Sequence, residues 1–179
     1  GTGNLRDWHG AIAVLSGDVP LMRAATIRQL VSKQVENNAA AVILTGKVHG
    51  DHTYGRIIRD ENGDVKGIVE HKDATPEQRR INEINSGTYV FGPGRLFPAL
   101  AELRNNNAQA EFYLTDTIEK FVKTGHPVAA VRASSLQEVL GINTPQELQQ
   151  AEAALKERAR LNVDAYEDVS PQVISDLSQ

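Results

Sequence analysis

Apolar positions fall into three patterns along this chain, and each predicts a different kind of element. Residues 11–15 and 39–44 are uninterrupted runs of small and branched apolar side chains, the mark of strands covered on both faces in a parallel sheet. The first run is expected to be a central strand. Between the two runs, Ile27, Leu30, Val31 and Val35 recur at helical spacing over residues 24–35. Strand, helix, strand in this order is a crossover unit and predicts an α/β fold.

From Gly55 the pattern changes. Arg56-Ile57-Ile58-Arg59 and residues 65–69 flank Asp60-Glu61-Asn62-Gly63-Asp64, and Asn-Gly between apolar runs predicts an antiparallel hairpin insertion. Residues 83–91 end in the β formers Tyr89, Val90 and Phe91 and read as a strand; Pro93 is expected to open a helix reaching residue 103. Residues 115–122 predict a helix and 128–131 a strand. A sharp helix start lies at Thr144-Pro145-Gln146-Glu147, which joins a capping threonine, a first-turn proline and a glutamate three residues after the cap. Leu148, Ala151, Leu155 and Ala159 then form one apolar stripe ending near Leu161. These elements divide the chain into a domain over residues 1–161 and a mildly acidic tail over 162–179, with a short helix expected at 172–177.

A length of 179 residues with 40% hydrophobic content suits one domain with its own core. The balance of 19 basic against 23 acidic residues leaves a net charge of −4, which supplies no broad basic field, so nucleic acid is not an expected partner. The chain has no cysteine, which excludes disulfides and thiolate metal sites and fits a reducing, cytoplasmic setting. No apolar run approaches membrane-spanning length, and no leader pattern opens the chain. It begins Gly1-Thr2-Gly3 without methionine, and further sequence upstream is expected.

Chemistry is expected where strands end, because open α/β sheets bind ligands beyond the carboxyl ends of their strands. Ser16-Gly17-Asp18 occupies that place after residues 11–15. A lone carboxylate there suits Mg²⁺, a hard cation that takes one or two protein oxygens and completes its shell with phosphate and water; Asp18 could equally cap the next helix or form a turn before Pro20. Asn143, at the end of Leu140-Gly141-Ile142-Asn143, is a second oxygen donor in a similar position, or simply the residue before the Thr144 cap. His49-Gly50-Asp51-His52 lacks a completing His or Cys pattern and is not read as a zinc site. Glu77-Gln78-Arg79-Arg80 reads as a solvated helix face. Neither a nucleophile triad nor a phosphate-binding G-x-x-x-x-G-K-[ST] loop is present.

Several stretches occur in a telling order: LSGDVPL, Tyr54-Gly55-Arg56-Ile57, IVEHKDA from Ile68, Glu83-Ile84-Asn85-Ser86-Gly87, Asn105-Asn106-Asn107-Ala108-Gln109 with Tyr113-Leu114-Thr115-Asp116, and Gly141-Ile142-Asn143. Together they resemble the uridylyltransferase domain of the bacterial bifunctional N-acetylglucosamine-1-phosphate uridylyltransferase / glucosamine-1-phosphate N-acetyltransferase, over roughly residues 13–155.

The resemblance implies a Rossmann-like nucleotidyltransferase sheet, mostly parallel, with its N-terminal strands missing. It implies uridylyl transfer from UTP to N-acetylglucosamine 1-phosphate, giving UDP-N-acetylglucosamine and pyrophosphate for peptidoglycan and lipopolysaccharide precursors. By the same resemblance Asp18 and Asn143 would be catalytic and hold Mg²⁺, Gly55, Glu70 and Asn85 would contact the amino sugar, and Thr115 would lie near sugar and phosphate. Ser16, where the family has tyrosine, and Gly17 would line the nucleotide, with Gly1 and Thr2 near the uracil. Glu70 could alternatively be a surface residue at a strand end. The family's L-x-x-G-x-G-T-R-M turn and its following lysine are not found in the chain, nor are the hexapeptide repeats of the acetyltransferase half. The expectation is therefore a piece of the domain, inactive by itself and not trimeric. A non-catalytic UDP-sugar-binding module and a metal-dependent glycosyltransferase are the alternatives.

Overall fold

The structure, a computed structural model, describes residues 8–50 and 52–161. Gly1 and Thr2, the tail over 162–179 and the helix expected at 172–177 lie outside the described residues. Strands β1 (Ile12–Val14), β2 (Ala41–Lys47), β3 (Arg56–Arg59), β4 (Val65–Val69), β5 (Glu83–Phe91) and β6 (Val128–Arg132) alternate with helices α1 (Ala24–Glu36), α2 (Pro76–Arg79), α3 (Leu96–Ala101), α4 (Asp116–Lys123) and α5 (Pro145–Arg160).

The six strands form one sheet in the order β4-β3-β5-β2-β6, with β1 also paired to β5. The α/β class is as expected, but the pairing differs from a mostly parallel sheet. Among the described strands only β2 and β6 pair in parallel; β1–β5, β2–β5, β3–β4 and β3–β5 are antiparallel. The reason is β5, which runs between β1 and β2 and opposes both. The crossover through α1 does connect two strands of the same direction, but they are not neighbours. The run over residues 11–15 is correspondingly not a central strand: it pairs only with β5 among the described residues, and its side chains are half-buried or exposed. By contrast, six of the seven β2 residues are buried, since β2 has neighbours on both edges and helices on both faces.

On one face of the sheet Ile43, Ile57, Tyr89 and Phe91 pack beneath Leu96, Ile118 and Phe121 of α3 and α4. On the other, Val42, Leu44, Ile84 and Val90 meet Leu30 of α1 and Val139. Alternation along β2 and β5 supplies both cores from the same two strands.

The hairpin follows the expected turn. Asp60 Oδ1 accepts from the N–H groups of Asn62 and Asp64, both at 3.0 Å, and Gly63 takes the left-handed conformation at φ 86°. The helix expected from Pro93 starts only at Leu96, because Gly94 is left-handed at φ 65° and interrupts it. The Thr144 capping box is present in full, with Thr144 Oγ1 accepting from Glu147 N–H and Glu147 accepting from Thr144 N–H. The stripe after it is only partly used: Ala151 is buried, while Leu148 and Leu155 are exposed, and the buried polar residue is Arg158, whose guanidinium donates to Leu21 O at 2.6 Å. Val35, counted on the apolar face of α1, is also exposed.

Candidate functional site

At the end of β1 the chain turns through Gly17 and Asp18, closed by Val19 N–H donating to Ser16 O at 3.5 Å. The capping alternative for Asp18 is removed by this geometry: α1 starts at Ala24 with Arg23 in the cap position. The segment carrying Asn143 comes back to the same place. Ile142 N–H donates to Asp18 O at 2.9 Å, and a β-carbon on Gly141 would stand 2.6 Å from Asp18 Oδ2. With no side chain of its own, Gly141 lets backbone and carboxylate pass this closely; a β-carbon there would make the Asp18 side chain shift. Asn143 does precede the Thr144 cap, and its backbone N–H joins the capping box by donating to Glu147 Oε2 at 2.7 Å. Its side-chain Nδ2 is oriented toward Gly141 O at 3.4 Å.

The opposite wall is built from strands. Asn85, on β5, stands where the β2 register slips: Ile43 faces Tyr89 while Thr45 faces Asn85, so β5 spends two more residues than β2 on this stretch. The bulge aims side chains into the cleft. It is held by Ser86 Oγ donating to Leu44 O at 2.8 Å and accepting from Thr88 N–H at 3.2 Å. Gly87 within it has φ 76°, a conformation that favours glycine, and a β-carbon there would lie 2.4 Å from Ser16 Oγ, which would have to turn aside. Asn85 donates to Tyr89 Oη at 2.7 Å and accepts from Gly87 N–H at 3.1 Å, while its own N–H donates to Gly55 O at 2.9 Å. The Tyr89 hydroxyl is pushed to a higher pKa, chiefly by burial, and remains a neutral partner.

Glu70 follows β4 and reaches toward Gly55, whose β-carbon position lies 3.2 Å from Glu70 Oε2. Thr115, one residue before α4, makes no cap hydrogen bond; its hydroxyl donates to Glu70 Oε1 at 3.1 Å. Burial raises the Glu70 pKa above the ordinary carboxylate range, the nearby Asp116 and Asp73 raise it further, and the Thr115 hydroxyl opposes them. Behind this wall, Asn107 folds the NNNAQ loop by accepting from Gln109 and Glu111 N–H, and Asp73 Oδ1 ties the loop down through Ala108 N–H at 2.9 Å. That motif is therefore a support for the Glu70 side.

The two walls enclose a cleft of about 250 Å³, lined by Ser16, Asp18, Gly55, Glu70 and Asn85 among others. Of the residues singled out in the sequence, these five come together directly. Asn143 stands beside the cleft through Gly141, Thr115 lies behind Glu70, and Gly17 is exposed in the turn. Among the described residues no cluster of three or more His, Cys, Asp or Glu side chains could hold a metal.

Comparison with known proteins identifies the family. The family model described as Nucleotidyl transferase matches residues 3–136. The chain belongs to the nucleotidyl transferase family. It is 46% identical over 154 residues to the bifunctional protein GlmU of Bacillus subtilis (strain 168), covering 86% of this chain and 34% of that protein. It is 47% identical over 154 residues to the GlmU of Lactococcus lactis subsp. lactis (strain IL1403), with the same two coverages. This nucleotidyl transferase chain thus spans about a third of the length of the curated relatives it matches. Among solved structures, a Bacillus anthracis protein described as a glucose-1-phosphate thymidylyltransferase, in complex with sucrose, superposes with a TM-score of 0.61 at 21% identity. That likeness covers 84% of this chain and 57% of the other and establishes a shared nucleotidyl transferase fold.

Tyr54 and Arg56 stand in one of the ordered sequence motifs, but sequence reasoning gave neither of them a role at the cleft. Tyr54 closes the cleft by accepting from Gly141 N–H at 3.4 Å. Arg56, 2% exposed, holds the loop before Gly55 by donating to Tyr54 O, to His52 O at 3.1 Å and to Arg79 O at 3.3 Å. Burial, with Arg79 nearby, lowers its pKa. An arginine opening a strand directly after a candidate-site glycine was the signal available for it.

Proposed function

We propose that the chain forms the sugar-phosphate and metal side of a uridylyltransferase site, in an enzyme that joins UTP and N-acetylglucosamine 1-phosphate to give UDP-N-acetylglucosamine and pyrophosphate. The observation that carries this reading is the bond from Ile142 N–H to Asp18 O, which unites the two oxygen-bearing loops opposite Gly55, Glu70 and Asn85. The attacking oxygen belongs to a sugar phosphate already ionised near neutral pH, so no general base is required. The barrier lies in holding anions together in line.

Asp18 and the Asn143 amide oxygen fit Mg²⁺, a cation that prefers hard oxygens and uses few protein ligands. Bound there, it would neutralise charge between the phosphates. The remaining work belongs to the chain. Glu70, already oriented by Thr115, accepts from sugar hydroxyls; Gly55 allows close approach of the N-acetyl group; Asn85, locked by Tyr89, presents an amide in a fixed position. Ser16 and Gly17 follow the nucleotide, and Gly1 and Thr2 are assigned to the uracil. The product would feed peptidoglycan and lipopolysaccharide precursors in the cytoplasm; no helix among the described residues is long and apolar enough to cross a membrane.

Calorimetry of the 179-residue chain with UDP-N-acetylglucosamine tests the reading. Binding is expected, tighter when Mg²⁺ is added. No heat at millimolar ligand, with or without Mg²⁺, overturns it.

A further inference from the structure

Glu138 is fully buried and does not itself line the cleft, although Val139 beside it does. Its carboxylate joins two parts of the chain. Ser134 Oγ, at the start of the same segment, donates to Oε1 at 2.7 Å; Thr26 Oγ1, in the first turn of α1, donates to Oε2; and Arg23 Nε, in the α1 cap position, stands 3.8 Å from Oε1. Thr26 is 4% exposed, so this is an interior junction. A buried carboxylate is costly unless its lone pairs are satisfied and a cation is near, and this one has two hydroxyl donors and a guanidinium.

The position of the junction gives it meaning. Arg23 and Thr26 lie just after the loop that carries Asp18. Glu138 lies just before Gly141, Ile142 and Asn143, at the end of a 3-10 turn over Leu136–Glu138. Val139 beside it is fully buried and packs over Gly46 of β2. The same two segments meet again at Ile142 N–H and Asp18 O. The close passage of Gly141 over the Asp18 carboxylate is thus bracketed by two cross-links, one of backbone and one of buried side chains.

We propose that Glu138 is a positioning residue that, through Thr26 and Arg23, locks the Asn143 segment onto the Asp18 loop and so sets the spacing of the two metal-holding oxygens. The inference rests on the reading of Asp18 and Asn143 as a metal pair. Partners one shell out from a metal typically govern its affinity by roughly 10–100-fold, because they orient the ligands.

The test uses the full chain carrying Thr26→Val, Thr26→Ser, Glu138→Ala or Asp18→Asn. Two quantities are read: Mn²⁺ affinity by electron paramagnetic resonance with UDP-N-acetylglucosamine present, and hydrogen exchange of the Ile142 amide without metal. Thr26→Val, close to isosteric, is expected to weaken Mn²⁺ binding by roughly 10-fold or more and to speed Ile142 exchange, with exchange at Ile43 in the core unchanged. Thr26→Ser, which restores the hydroxyl, should recover both. Glu138→Ala should exceed Thr26→Val if it folds, and the threonine pair decides the matter if it does not. Wild-type Mn²⁺ affinity and wild-type Ile142 exchange in Thr26→Val overturn the proposal. Equal Mn²⁺ binding by the parent chain and Asp18→Asn would instead sink the metal reading, and Ile142 exchange would then decide the coupling alone: slow exchange in Thr26→Val refutes it, and fast exchange restored by Thr26→Ser upholds it.

Discussion

The two walls of the cleft are built on opposite plans. On one side Asp18 and Asn143 are exposed short side chains on loops, placed by a backbone hydrogen bond and a glycine. On the other, Asn85 and Thr115 are buried; Asn85 is bonded to Tyr89 and Gly87, and the Thr115 hydroxyl to Glu70 Oε1. On the proposed assignment, the difference would follow what each wall handles. Phosphates and a cation bring their own charge and water, so oxygens facing them are left free and solvated. Sugar hydroxyls are neutral and numerous, and discriminating them needs acceptors and donors fixed beforehand.

Removing the charge of the loop wall should have the largest effect. Asp18→Asn keeps the shape and is expected to abolish the Mg²⁺-dependent part of UDP-N-acetylglucosamine binding, about 1.5–3 kcal/mol on the scale of contacts to charged groups. Calorimetry with and without Mg²⁺ reads this; an undiminished Mg²⁺ effect would break the contrast between the walls.

The strand wall should respond in stability first. Tyr89→Phe leaves the Asn85 amide without its buried acceptor and is expected to cost about 1–3 kcal/mol in denaturant unfolding. A neutral result would mean that Asn85 is not held in advance.

Glu70→Gln should separate function from stability. The Glu70 carboxyl is raised by burial, so the native state holds its proton more tightly than the unfolded chain does. Stability then falls as pH rises from the unfolded pKa through the native one, and above that the full cost is present. Glu70→Gln is accordingly expected to bind UDP-N-acetylglucosamine more weakly while melting higher than the parent near neutral pH, with the gain shrinking in acid. Melting curves across pH check it; a gain that grows in acid would contradict the burial argument.

The smallest effect belongs outside both walls. Leu148→Ser, on the exposed part of the α5 stripe, should change stability by no more than about 0.5 kcal/mol. A larger loss would show that the stripe is covered in solution.

Much of the fold was readable locally. The Asp60 to Asp64 turn, the β5 span and the Thr144 capping box are each specified by neighbouring residues, through turn chemistry, alternation and side-chain capping. Burial was readable less well. Val35, Leu148 and Leu155 follow helical spacing yet are exposed, because periodicity marks a face and not whether anything packs on it. Thr115 looked like a helix start and is one, but its hydroxyl serves Glu70, a partner far away in sequence.

By itself, then, the sequence determined the elements, the ordered motifs that mark a nucleotidyl transferase, and the residues worth suspecting, since these depend on local chemistry and short spacings. Only the tertiary structure decided that β5 separates β1 from β2, that Asp18 is not a helix cap, and that Asn143 comes back beside it. Those outcomes rest on long-range strand pairing, one glycine passing over a carboxylate and a buried Glu138 junction, and no local pattern encodes contacts between residues that far apart in the chain.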